Sequence, residues 1–151
     1  MDYHFIFAAT GSIPAGAASH GHEADGTPLW VARSPARADP HFIGSIQPGK
    51  VRPAFGAALI PFGGKEISVT DYEVLVEPGI WIPGSNGQIP DGAVVCGREA
   101  NGDPLFVARA SLNGGLHPGK IRFAFGAALI GFGGKEVPVS NYEVLASPVV
   151  R

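Results

Sequence analysis

Residues 48–75 read PGKVRPAFGAALIPFGGKEISVTDYEVL, and residues 118–145 read PGKIRFAFGAALIGFGGKEVPVSNYEVL. The two stretches are offset by 70 positions and are identical at most of them. A match this long at a fixed period predicts two copies of one supersecondary unit, and it decides how the rest of the chain is read. Upstream, GSIPAGAASHGHEADGTPLWVARS at 11–34 matches GQIPDGAVVCGREANGDPLFVARA at 87–110 at an offset of 76. The change of offset places six additional residues of the first copy within PARADPHFIGSIQ (35–47), expected to be a surface loop. The copies divide the chain into residues 1–76 and 77–151, joined through VEPG and expected to pack face to face with approximate two-fold symmetry.

The punctuation within each copy predicts an all-β fold of antiparallel strands. The 22 glycines and 14 prolines among 151 residues are spread along the chain, as in a protein of many tight turns. No window keeps a helical period. Asp25-Gly26 and Asn101-Gly102 read as type I′ hairpin turns, and Gly63-Gly64 and Gly133-Gly134 mark a second turn. Four main strands per copy are expected, with a short leading strand at Tyr3–Phe7 or Ile80–Ile82. Gly56 and Gly126 are expected in mid-strand, at a bulge or a close backbone approach. Phe55, Leu59, Ile60, Phe62, Tyr72, Val74, Leu75 and their copies are expected in the core.

A net charge of −2 without a Lys/Arg run points away from nucleic acid and anionic membranes. Cys96 is the single cysteine, so no intrachain disulfide forms. No apolar run reaches transmembrane length, and the start of the chain lacks the basic region of a signal peptide. A soluble protein is expected, cytoplasmic or released without a standard signal.

Function is sought where both copies keep a polar group. The duplicated pairs include Glu23/Glu99, Arg33/Arg109, Lys50/Lys120, Arg52/Arg122, Lys65/Lys135, Glu66/Glu136 and Glu73/Glu143. Such pairs serve either as repeated ion pairs or as repeated binding sites. Lys50 and Lys120 follow Pro-Gly and are expected to project from turns; Glu23 and Glu99 precede hairpin tips. A carboxylate and an ammonium on adjacent hairpins suit a neutral polyhydroxyl ligand, one accepting and the other donating hydrogen bonds. His20-Gly21-His22-Glu23 has a metal-like look, but the second copy reads Cys96-Gly97-Arg98-Glu99, so no metal or other cofactor is expected. The GGKE segments lack the spacing of a phosphate loop. No nucleophile–base set is legible, so no catalytic residue is named. Trp30/Phe106 and Trp81/Phe5 read as core aromatics, with stacking on a sugar ring as the other use.

The succession of motifs resembles the DM9 repeat family, also catalogued as DUF3421. It comprises Ile-Pro-x-Gly-Ala, Gly-x-Glu-x-Asp/Asn-Gly-x-Pro-Leu, Val-Ala-Arg, Pro-Gly-Lys, Phe-Gly-Gly-Lys-Glu and Tyr-Glu-Val-Leu. The resemblance covers nearly the whole chain in two tandem copies. It implies a lectin for mannose-type glycans or other neutral sugars, with one site per copy. It also implies the acidic residue and the Pro-Gly-Lys lysine as ligands, here Glu23 with Lys50 and Glu99 with Lys120. The family usually has Asp where this chain has Glu, one methylene longer. Arg33, Arg109, Glu66 and Glu136 are expected as supporting residues, and a homodimer is compatible with this reading. A non-catalytic protein-interaction scaffold is the alternative.

Overall fold

The computed structural model describes residues 3–35 and 42–147. It is all-β. The first copy supplies β1 (Phe5–Ala9), β2 (Gly21–His22), β3 (Pro28–Arg33), β4 (Pro48–Val51), β5 (Ala58–Phe62), β6 (Lys65–Val69) and β7 (Asp71–Leu75). The second supplies β8 (Ile80–Ser85), β9 (Val95–Arg98), β10 (Pro104–Leu112), β11 (Gly115–Ile121), β12 (Ala128–Phe132), β13 (Lys135–Val139) and β14 (Asn141–Ala146). The strands are therefore more numerous than the four main ones expected per copy. Two of the expected strands are each cut in two.

The first cut falls at Gly56 and Gly126. Neither lies in mid-strand. Pro53–Phe55 and Phe123–Phe125 each form a single 3-10 turn, and the following glycine closes it with a φ of 68° or 71°. A side chain there would be held in the left-handed region, which costs L-residues energy that glycine avoids. The second cut falls between β6 and β7, at Thr70.

The turns divide in the same way. Gly63-Gly64 and Gly133-Gly134 have both φ angles positive, as a type I′ turn requires. Asp25 and Asn101 do not; only Gly26 (φ 90°) and Gly102 (φ 94°) are left-handed at those tips. The Glu23 carbonyl accepts from Gly26 N–H at 3.0 Å, and Glu23 N–H donates to the Thr27 carbonyl at 2.8 Å. This is a three-residue loop closed by a left-handed glycine. Asp25 Oδ1 adds an acceptor for Thr27 N–H at 2.9 Å, which favours it over the two-residue turn.

The described strands join one sheet, whose order runs β1-β7-β3-β4-β5-β6 and continues β13-β12-β11-β10-β14-β8. Each strand of this path thus has its sequence equivalent at the mirrored place in the other half, while β2 (against β3 and β11) and β9 (against β10) lie off it. The halves share one sheet, joined edge to edge at β6 and β13, and the sheet curls so that β4 and β11 also face each other. At the junction Lys65 opposes Lys135, and Glu66 N–H and Glu136 N–H donate to the carbonyls of Gly134 and Gly64. The halves also exchange bonds at Ile46↔Arg98 and Leu116↔His22.

One apolar cluster belongs to each copy, around Ile60, Tyr72 and Val74 and around Ile130, Tyr142 and Val144. A third draws on both, with Val31, Leu75, Cys96, Val107 and Leu145. Leu59, Phe55 and Phe62 are only half-buried; Phe62 packs against its copy's cluster and also faces Lys120, while Phe55 faces Arg52. Of the segment expected as a surface loop, 36–41 lie outside the described residues. In the part that follows Ile43 and Gly44 are exposed, as a surface loop requires, but its other side chains are anchored inward. Phe42 is buried with its ring edge-on to Phe62, and Ser45 and Gln47 are buried too. No helix among the described residues is long and apolar enough to cross a membrane.

Candidate functional site

Lys50 and Lys120 do not project from turns. Pro48-Gly49-Lys50 lies in β4 and Pro118-Gly119-Lys120 in β11, and both lysines are only 3% exposed. The glycine serves close approach rather than turning. A Cβ on Gly49 would stand 2.3 Å from the Leu59 carbonyl oxygen, and one on Gly119 would stand 2.3 Å from that of Leu129. The Pro-Gly pair therefore lets the neighbouring strand close in and sinks the lysine beside it.

A buried ammonium must be paired and hydrogen-bonded. Lys50 Nζ lies 2.9 Å from His117 Nδ1 and 3.9 Å from Glu66 Oε2, with the Phe132 ring centroid at 5.5 Å. Lys120 Nζ lies 2.7 Å from Gln47 Oε1 and 3.6 Å from Glu136 Oε2, with the Phe62 ring centroid at 5.2 Å. Each lysine is thus met by its own copy's Phe-Gly-Gly-Lys-Glu carboxylate. It is also met by a polar side chain and an aromatic ring from the other copy. Burial pulls both ammonium groups below the usual lysine range, and the neighbouring carboxylates oppose that shift.

The acidic residues named from the sequence stand one step further out. Glu23 Oε2 accepts from Arg52 Nε at 3.0 Å, and its other oxygen lies 4.0 Å from His117 Nε2. Glu99 Oε2 accepts from Arg122 Nε at 3.1 Å, and its Oε1 accepts from Gln47 Nε2 at 2.8 Å. Glu23 therefore reaches Lys50 through His117, and Glu99 reaches Lys120 through Gln47. Arg52 and Arg122 lie over the rings of Phe55 and Phe125, at 4.6 and 5.0 Å.

Glu66 and Glu136 stand beside the two lysines. Glu66 Oε1 accepts from Gly134 N–H at 3.1 Å and Glu136 Oε1 from Gly64 N–H at 3.2 Å, so each is held by the turn of the opposite half. Glu66 Oε2 is buried and has no hydrogen-bond partner among the described residues. Arg33 and Arg109 lie elsewhere. Arg33 pairs with Glu73 at 2.8 Å, donates to the Cys96 carbonyl at 2.9 Å and covers the Phe5 ring at 3.9 Å. Arg109 pairs with Glu143 at 2.9 Å, donates to the His20 carbonyl at 2.9 Å and covers Trp81 at 4.3 Å. These two guanidinium groups tie one copy to the other.

The histidine–cysteine pair is interior. His20 is 1% exposed; its Nδ1 accepts from Val31 N–H and its Nε2 donates to the Glu77 carbonyl, each at 2.8 Å. That is the neutral ring, and burial lowers its pKa to about 4. Burial pushes the Cys96 thiol up to about 12. Trp30 and Phe106 pack against the clusters of their own copies, and Phe5 and Trp81 against the shared one.

Gln47 and His117 were not among the residues picked out by duplication, because the two copies differ there. The available signal was position: in both copies a side chain with one acceptor and one donor immediately precedes Pro-Gly-Lys.

No curated protein matches the chain. Among solved structures it is similar to the crystal structure of the nematode sperm cell motility protein MFP2B, with a TM-score of 0.65 at 16% sequence identity. The match covers 99% of this chain and 48% of that one, so this chain spans about half its length and shares its fold. The model of the DM9 repeat matches residues 36–139. The chain therefore belongs to the DM9 repeat family.

Proposed function

We propose that the chain is a carbohydrate-binding protein without catalytic activity, with two sites for neutral hexoses of the mannose type. One is built on Lys50 with Glu23 and Glu66, the other on Lys120 with Glu99 and Glu136. The observation that carries this reading is a buried ammonium beside a buried carboxylate oxygen, Glu66 Oε2, that has no hydrogen-bond partner among the described residues. At 3.9 Å the two are too far apart for a direct hydrogen bond. A ligand hydroxyl, which both accepts and donates, satisfies the two at once. A phosphate or carboxylate ligand would accept from the lysine but would repel Glu66. The half-buried rings of Phe132 and Phe62 add apolar surface suited to the C–H face of a pyranose.

Glu23 and Glu99 are engaged by arginines, which favours fixed carboxylate acceptors over an acid that protonates a leaving group. Each hydrogen bond exchanged with water contributes about 0.5–1.5 kcal/mol, so one site should hold a monosaccharide with a Kd of about 0.1–10 mM. Two sites on one rigid body raise retention on a polyvalent glycan by about 10²–10⁴.

The test is a titration of the isotope-labelled protein with methyl α-mannopyranoside, followed by amide and side-chain shifts. Saturable changes clustered at residues 23, 50 and 66 and at 99, 120 and 136 are expected. Shifts that fail to saturate, or that lie elsewhere, contradict the reading.

A further inference from the structure

A primary amide and a neutral imidazole each offer an acceptor atom and a donor atom on one flat group. Gln47 uses its oxygen for Lys120 and its nitrogen for Glu99. His117 stands between Lys50 and Glu23 in the same order, within hydrogen-bond distance of Lys50 but 4.0 Å from Glu23 Oε1. The ammonium has only donors to give, so His117 Nδ1 is the acceptor and the ring proton sits on Nε2, facing Glu23. Each of these side chains comes from the copy opposite to the lysine it meets.

The two differ in one chemical property: imidazole takes up a proton and the amide does not. A proton on Nδ1 removes the acceptor and sets an imidazolium against an ammonium. We propose that His117 and Gln47 are the positioning residues of the two sites, and that protonation of His117 disables the Lys50 site while the Lys120 site persists. The proposal rests on the two-site sugar reading for its consequence, but not for the coupling itself.

The surroundings of His117 oppose protonation. Lys50 faces it from β4 and His22 from β2, both adverse to a second positive charge, and Glu23 beyond β2 is the one favourable group. The Phe132 ring from β12 meets it edge-on at 5.2 Å and offers no hydrogen bond. Within β11, a Cβ on Gly115 would stand 2.7 Å from Nε2, so the imidazole fills the space a side chain would take. Burial first, and then the Lys50 charge, bring the imidazole down to about 4.

The experiment isolates each site. The Lys120→Ala protein reports the first site and the Lys50→Ala protein the second, each titrated with methyl α-mannopyranoside at pH 7 and pH 3.5. The Lys120→Ala protein should lose about fourfold more affinity on acidification, the fraction of neutral imidazole setting the apparent affinity. His117→Gln added to it should abolish the excess loss, and Gln47→His added to Lys50→Ala should create one. Equal losses in the two proteins, or a loss that survives His117→Gln, overturn the proposal. A sugar-free reading separates this from the function itself. In the parent, the Lys50 Nζ resonance should follow the His117 titration while that of Lys120 does not. If no sugar binds at any pH but Lys50 follows His117, the lectin reading falls and the positioning role stands. If Lys50 ignores His117, the proposal falls whatever the sugar does. Should the fold open before His117 titrates, the acid-unfolding midpoint carries the test: His117→Gln should move it to lower pH and Gln47→His to higher pH, and no shift in either overturns the coupling.

Discussion

The ammonium of Lys50 donates to His117 Nδ1 over 2.9 Å, although 67 residues separate them in the chain. The bond crosses from one sequence copy to the other, and Lys120 makes the corresponding crossing to Gln47. Neither lysine site is complete within one copy. In the proposed lectin the duplication would therefore contribute more than valency, since each half supplies walls around the other's lysine.

Arg33 and Arg109 provide the first prediction. Each links a carboxylate, a carbonyl of the other copy and an aromatic face. Arg109→Ala should lower stability by about 1–2 kcal/mol, the range for a partly exposed charge-assisted hydrogen-bond set. Sugar affinity should stay within twofold of the parent. Urea unfolding together with the mannoside titration checks both, and a large loss of affinity without loss of stability would return Arg109 to the supporting residues of a site.

A second prediction concerns Gly49 and Gly119. Their Cβ positions lie 2.3 Å from the Leu59 and Leu129 carbonyl oxygens, which are backbone atoms and cannot swing aside. Gly49→Ala must push β4 off β5, and a loss of about 3 kcal/mol or more is expected in denaturant unfolding. Gly56→Ala meets no such wall and is strained only by its φ of 68°. It should cost less, about 1–2 kcal/mol. The reverse order would mean that strand spacing does not set the glycine requirement in Pro-Gly-Lys.

The same glycines show how much was legible beforehand. The repeat, the all-β class and the Gly63-Gly64 and Gly133-Gly134 turns follow from local chemistry, which a single sequence displays. Pro-Gly-Lys suggests a turn by the same local logic, but the requirement there comes from Leu59, ten residues away, and only pairing of β4 with β5 reveals it. Gly56 misled for another reason: it falls within a stretch read as one strand, yet it ends a 3-10 turn that begins at Pro53. Lys50 and Lys120 were visible as a pair because both copies keep lysine. Gln47 and His117 were hidden because equivalence there is of hydrogen-bonding capacity, not of residue identity. The opposite-half contacts of Glu66 and Glu136 depend on how β6 meets β13, which no local pattern encodes.

His20 supplies the third prediction. Its neutral ring is hydrogen-bonded on both sides, and its folded pKa, about 4, is below the unfolded value of about 6.5. The unfolded chain therefore binds the proton more readily between those values. The stabilisation is present above pH 6.5 and is lost as the pH falls toward 4. In a His117→Gln background, unfolding free energy should drop by about 2 kcal/mol between pH 7 and pH 5 from His20 alone. Replacing His20 by Gln should flatten that slope even if it lowers stability throughout. An unchanged slope would place the titrating group elsewhere.

That Lys50 and Lys120 are the ligand-binding cations of two sites is the proposal on which the lectin reading stands. It is tested most directly by the retention of four proteins on immobilised mannan: the parent, Lys50→Ala, Lys120→Ala and the double variant, with melting temperatures measured in parallel. Each single variant should keep monosaccharide binding at the remaining lysine in calorimetry. Each should lose most of its retention on the polyvalent surface, because avidity needs both sites. The double variant should lose both while melting as a folded protein. A double variant that remains folded and is retained on mannan as the parent is would mean that these lysines are scaffold rather than ligand.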